Sequence, residues 1–452
     1  MSTWGADVRL ARQFLSGSDR PEWWRIALTA AGAALATGCA LAAVTLASIP
    51  DGYTVSVFHG LVNEGGTRSG VIAGLLLLLV PVLALLGQCT RIGAVHRDRR
   101  LAALRLAGAT PWQVRRIAAV ETGLACLAGS AVATVFSVLL LLRLWTGPTA
   151  STWAGIALVA VGVPVSGAVA GAVALRRVVA SPMGRLRRVG PESGRGPGLL
   201  FLGGLILLIA VAALAMTGSG GAGNRVDWRT PLTVFLLVVA LGAGAVWLAG
   251  TTARLTGRLL SPRARTAAQL LAAERLRDDP WAPARTHAAV LVVTVAGTAF
   301  LGIRHAMLTD LRAREGGLGA DLAYYTTGLD LTGAALLVAL AITLTGLAVG
   351  TAESLAHRRR TLAAQVAAGV ARTVLNRALL LETALPLAPA LLLACAGGLA
   401  VGVWYSSLQG DGSLPWTALL VAPAVYAACL LAAATALPLL GRSVRPGELR
   451  YV

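Results

Sequence analysis

The chain has 452 residues, 56% of them hydrophobic and only 13% charged, with a formal net charge of +19. Apolar runs of about 20 residues, the length that crosses a bilayer, recur along it, which excludes a soluble globular class and points to an all-α polytopic membrane protein. All 39 basic residues are arginine, so the lysine that a Walker-type phosphate loop needs is missing and any ATP-driven work must use a partner's ATPase.

In chain order, residues 1–24 form a basic amphipathic segment with Arg9, Arg12 and Arg20, suited to the inner leaflet, and Trp23 and Trp24 stand where an interfacial aromatic belt would. A first half over 25–180 opens with a span at 25–49, a polar loop at 50–68 and a span at 69–95 with a kink expected at Pro81. The stretch 96–122 follows, HRDRRLAALRLAGATPWQVRRIAAVET. Leu101, Leu104 and Ala107 make an apolar stripe between Arg97, Arg99, Arg100 and Arg105, so a short helix should lie along the membrane surface. Gly108 ends it, Thr110 caps the next helix and Pro111 takes its first position, which starts a third span running to about residue 142. A fourth span is expected at 152–175. A basic linker over 181–197 leads to a central hairpin over 198–252, with spans at 198–217 and 231–252. A cytoplasmic amphipathic segment over 253–285 has Ala267, Leu270 and Leu271 as apolar positions against Arg265, Arg275 and Arg277. Its end, DDPWAPAR, echoes the DRPEWWR that precedes the first span. The second half, 286–440, has spans at 286–303, 329–352, one ending near 403, and 414–440, with a loop at 304–328 and a cytoplasmic tail at 441–452.

The second half contains a copy of the 96–122 stretch, HRRRTLAAQVAAGVARTVLNRALLLET. His96 recurs at His357, Gly108 at Gly369 and Glu121 at Glu382, 261 positions on and without a gap. The chain therefore reads as two related four-helix halves plus a central two-helix hairpin, about ten transmembrane helices in all. An even number of spans separates the copies, so the halves are parallel rather than inverted. With both termini cytoplasmic, 32 of the 39 arginines fall on the inner side of a bacterial cytoplasmic membrane, as the positive-inside rule asks. That charge serves topology and anionic lipid rather than nucleic acid.

Glu121 and Glu382 each lie just inside a span, where a carboxylate is costly and faces a partner or a cavity. Arg116 and Arg377, five residues back, sit about 140° around the helix from them, so each glutamate should meet an arginine of a neighbouring element; the rival is snorkelling to the inner interface. Arg304 and His305, at the outer end of the seventh span, are candidates for contact with an anionic ligand, or else solvated interface residues. Cys39, Cys89, Cys126, Cys395 and Cys429 all fall inside apolar runs and read as small buried residues rather than metal ligands or disulfides. With no Ser/His/Asp, HExxH or paired-carboxylate constellation in the outer loops, the chain offers no catalytic residues and no metal site.

The basic helix, the LRLAGAT turn, the QVRR helix start and the glutamate entering the next span resemble the FtsX/MacB-like permease domain of ABC transporters. That domain has one span followed by three, an order both halves match. The 4+2+4 layout is most similar to the BceB-type (type VII) branch, in which one permease chain pairs with two copies of a separate ATPase. The resemblance implies mechanotransmission, with ATP and Mg on the partner. It also implies ATPase-coupling helices at Arg97, Arg99, Arg100, Leu101, Leu104, Arg105 and Gly108, and at Arg358, Arg359, Arg360, Leu362 and Gly369. Relatives of this branch carry a large extracellular domain, whereas here the longest outer loops are 50–68 and 304–328. The expected substrate is accordingly hydrophobic or amphiphilic and reached from the bilayer, such as a lipid, lipopeptide or antimicrobial peptide, with resistance as one outcome. A mechanotransmitting sensor that signals to a kinase or other accessory partner, and a proton-coupled carrier working through Glu121 and Glu382, are the alternatives. The all-arginine basic set fits a GC-rich actinobacterial genome.

Overall fold

The computed structural model describes residues 20–50, 63, 65–89, 103–104, 106–145, 147–174, 229–313, 322–409 and 416–438. Every secondary-structure element among them is a helix. Seven of these helices are long and apolar enough to cross a membrane, and the chain is an all-α polytopic membrane protein. The first span of the central hairpin, the linker before it, most of the N-terminal segment and the C-terminal tail lie outside the described residues. Backbone contacts divide the chain into two units, Met1–Tyr53 with Val82–Pro191, and Thr54–Pro81 with Glu192–Val452.

The first unit is built on α1 (Arg20–Ala47), α3 (Pro111–Leu144) and α4 (Ala150–Ala174). It takes the end of α2 (Gly65–Cys89), a helix that continues through Pro81. Small residues set the spacing: a Cβ on Gly129 of α3 would stand 1.9 Å from the Ala30 carbonyl oxygen, and one on Gly167 of α4 would stand 2.5 Å from Cys126 Sγ. Interhelical approach of this kind is how membrane helices gain packing without a hydrophobic drive between them. Pro164 inside α4 has no N–H for the Ala160 carbonyl four residues back, and the Ser130 hydroxyl of α3 donates to that carbonyl at 3.1 Å instead. At the far end Leu41, Leu141, Trp145 and Ile156 form a core, beside a 2.8 Å hydroxyl contact between Ser48 and Thr152. The outward faces of α3 and α4 expose Val132, Phe136, Leu139, Leu158 and Val161, an apolar surface that suits lipid and not water.

The second unit contains the first part of α2 together with α5 (Arg229–Leu260), α6 (Ala267–Asp278), α7 (Trp281–Ala313), α8 (Leu322–His357), α9 (Arg359–Ala367), α10 (Arg372–Gln409) and α11 (Val421–Ala434). Its centre is the crossing of α7 and α10. A Cβ on Gly398 would lie 1.8 Å from Thr298 Oγ1, and one on Gly302 would lie 2.7 Å from Gly402 Cα, so Gly398 and Gly402 form a small-xxx-small face. Val290, Leu291, Val295, Leu347, Leu387 and Leu391 fill the core around this crossing.

Two details differ from the sequence reading. α7 does not stop near residue 303 but runs to Ala313, because Ala306, Leu308 and Leu311 continue its buried face and residues 304–313 contain no Gly or Pro. Arg304 and His305 are therefore helical residues, and the connection to α8 is far shorter than the expected 304–328 loop. In α6 the buried stripe is Ala268, Ala272, Ala273 and Leu276, while Ala267 and Leu270 are exposed. The alanines allow close packing on α5, where a Cβ on Gly257 would meet the Ala273 carbonyl at 3.0 Å. α6 starts at an N-cap, Thr266, which accepts from the Gln269 N–H. Just before it the Ser261 hydroxyl donates to Glu274, and that hydrogen bond, with a further contribution from Arg277, holds the Glu274 carboxyl below the usual range.

Candidate functional site

The two repeat copies build the same corner. In the first, Gly108 has φ 96°, and the Ala109 N–H donates to the Leu104 carbonyl at 2.9 Å. In the second, Gly369 has φ 92°, the Gly369 N–H donates to Val366 at 2.9 Å and the Val370 N–H to Gln365 at 3.0 Å. These are Schellman bonds, which close a helix on a left-handed residue and turn the chain into the next element. Leu104 and Ala109 pack on Val114 and Ala118 in the first corner, and Val366 and Val370 pack with Leu362, Leu375 and Leu379 in the second. Thr110 then caps α3 with a capping box to Gln113, as the Thr-Pro start predicts; the second corner has Ala371 and Arg372 there and starts α10 without it. Beyond each corner the same threonine bonds back into its helix, Thr122 to Ala118 and Thr383 to Leu379.

In the second corner, the short helix expected to be basic and surface-lying is α9. Leu362 and Ala363 are buried beneath it, Arg360 is exposed, and Arg358 stands at its N-terminal boundary. Arg358 Nη1 donates to Glu382 Oε1 at 2.8 Å, and Arg275 Nη1 of α6 donates to Glu382 Oε2 at 3.1 Å. The three side chains are 15–32% exposed. One carboxylate thus ties together α6, the α8–α9 junction and α10, through charge-assisted bonds that are stronger away from bulk water. Arg377, in the same helix as Glu382, is exposed and stands apart from this cluster. Glu121, at the matching position of α3, is 3% exposed. Of the first-copy coupling candidates, Leu104 and Gly108 are described; Arg97, Arg99, Arg100, Leu101 and Arg105 lie outside the described residues.

A second polar feature sits on α7 and α8. Arg304 Nη2 donates to Asp330 Oδ1 at 2.8 Å. The pair lines one end of an apolar cleft of about 470 Å³ between α7, α8 and α11. His305 does not line this cleft, so the structure separates the two residues that the sequence placed together. Asp330 was missed; an acidic residue at the edge of the expected 329–352 span was the available signal. In the sequence Arg275 shows only as the polar side of an amphipathic segment, and no local spacing links it to Glu382.

Residues 71–183 match the family model described as FtsX-like permease C-terminal. No curated protein and no solved structure matches the chain. The matched stretch takes in most of α2, the Gly108 corner, α3 and α4, and leaves the second repeat copy uncovered. Over about a quarter of its length the chain is similar to FtsX-like permeases, and this similarity supports a multi-pass membrane subunit of the ABC-transporter permease type.

Proposed function

We propose that this chain is the membrane permease of a bacterial ABC system, with both termini cytoplasmic, working by mechanotransmission with two copies of a separate ATPase that binds ATP and Mg. The observation that carries this reading is the corner repeated at Gly108 and Gly369, backed in the second copy by the Glu382 cluster. A rigid short helix joined to a long span through a fixed corner and two guanidinium bonds moves as one lever with that span. Displacing α9 would then displace α10 and, through the glycine crossing, α7. This layout suits the BceB-type branch, with an amphiphilic substrate taken from the bilayer and exported or extracted. The coupling role extends to the arginines around both corners.

The test is a pull-down of the tagged chain in mild detergent, followed by an ATPase assay. The comparison is with Leu106→Glu plus Arg360→Glu, both at exposed positions. The expected result is a co-purifying ABC ATPase that is lost in the double variant while the permease stays folded. Recovery of the wild-type chain with no ATPase, together with uptake or efflux driven by a proton gradient and lost in Glu121→Gln or Glu382→Gln, would overturn the reading in favour of a carrier. ATPase binding without movement of any substrate would favour the sensor.

A further inference from the structure

We propose that the cleft between α7, α8 and α11 is a lateral binding site for a zwitterionic membrane phospholipid, one acyl chain lying in the cleft and the head group held by Arg304 and Asp330. The proposal rests on the permease reading and names a substrate class for it.

The cleft, at about 470 Å³, lies within the range of about 300–1,000 Å³ typical of small-ligand sites. Phe300, Leu329, Leu336, Leu340, Val421 and Val425 give it apolar walls. At its deep end the Thr294 hydroxyl is already donated to the Val290 carbonyl at 2.8 Å, so that end offers hydrocarbon no competing donor. Gly297 faces the cleft with nothing within 4 Å of where a Cβ would stand. Val293 and Arg304, at opposite ends, are separated by about 16 Å of helix, about half of a 30 Å hydrocarbon core. The cleft therefore has the depth of one leaflet, with its charged end where a head group would sit.

The charge at that end selects the head. Arg304 and Asp330 are 38% and 66% exposed, and an ion pair so open is held weakly enough to exchange its partners. Its net charge is zero. An anionic head would take Arg304 only by stranding Asp330, whereas a head with a phosphate and an ammonium replaces both halves of the pair with charge-assisted bonds.

The experiment places the full chain in nanodiscs of phosphatidylglycerol containing a trace of phosphatidylethanolamine with a diazirine on one acyl chain, and maps photo-crosslinks by peptide mass spectrometry. The expected crosslinks fall on α7, α8 and α11 and are competed by unlabelled phosphatidylethanolamine about tenfold or more better than by added phosphatidylglycerol. Gly297→Leu, which grows into open space, should reduce them by about tenfold or more. Asp330→Asn, on an exposed side chain, should keep the crosslinks and abolish the preference for phosphatidylethanolamine. Equal competition by both lipids in the wild type, or crosslinks at the cleft unchanged in folded Gly297→Leu, would overturn the proposal. If Gly297→Leu does not fold, Asp330→Asn decides alone, since an unchanged head preference there is equally fatal. No ATPase enters this assay, so its failure is distinct from failure of the pull-down.

Discussion

A carboxylate inside an apolar span persists by finding partners, and Glu382 finds Arg358 and Arg275. Removing one member of such a cluster leaves the others partly buried and under-bonded, which costs more than the cluster itself contributes. Glu382→Gln is expected to destabilise the chain by about 2 kcal/mol, allowing for the partial exposure of the group, whereas Arg377→Gln, exposed on the same helix, should stay within about 0.5 kcal/mol. Denaturant unfolding of both variants in one detergent measures the difference, and equal stability would mean that the cluster is not structural. The glutamate was legible in the sequence, because a charge within an apolar run announces itself. Arg275 was not, because it lies 107 positions away and its neighbourhood depends on how α6 docks.

At the scale of elements, glycines that look alike in the sequence do different work. Gly369 holds φ 92° with open space around a would-be Cβ, so Gly369→Ala costs only the left-handed backbone, about 1–2 kcal/mol. Gly398 sits against α7, where a Cβ would lie 2.6 Å from the Val295 carbonyl as well as against Thr298. Gly398→Ala must therefore push α10 from α7, with an overpacking cost of about 1–3 kcal/mol or more. The two are told apart by adding Thr298→Ala, which should recover part of the stability in Gly398→Ala and none in Gly369→Ala; no recovery at either site would contradict the packing argument. Corners are legible because capping is local chemistry of a few consecutive residues, as Thr110, Pro111 and Gly108 illustrate. Helix crossings are not, because nothing in the run around Gly397 and Gly398 says which of them meets α7. The extension of α7 past residue 303 was missed for a related reason, since the arginine and histidine that look like the end of a span are carried on a helix whose opposite face remains buried.

For the whole molecule, orientation rests on the asymmetry of 32 among 39 arginines. Thr361 on α9 and Ala313 at the end of α7 are both exposed, and the positive-inside reading puts them on opposite sides of the membrane. Cysteines introduced there should react with a membrane-impermeant maleimide from opposite sides, Ala313→Cys in intact cells and Thr361→Cys only after permeabilisation. The native Cys89, Cys126, Cys395 and Cys429 are buried and give little background. The reverse pattern would invert the topology, put the two glycine corners on the side away from any cytoplasmic ATPase and sink the proposed coupling role.

The membrane class, the doubled corner and the two glutamates within apolar helices were legible in the amino-acid sequence alone. Each follows from composition or from residues within one or two helical turns, where hydrophobicity, capping and glycine stereochemistry act locally. Tertiary packing alone sets which arginines meet Glu382, which face of α6 is buried, which glycines make the α7–α10 crossing, and that Arg304 pairs with Asp330 at one end of an apolar cleft. Those depend on contacts between residues far apart in the chain, and such contacts are chosen by shape and spacing when helices pack, a choice that no short window of residues contains.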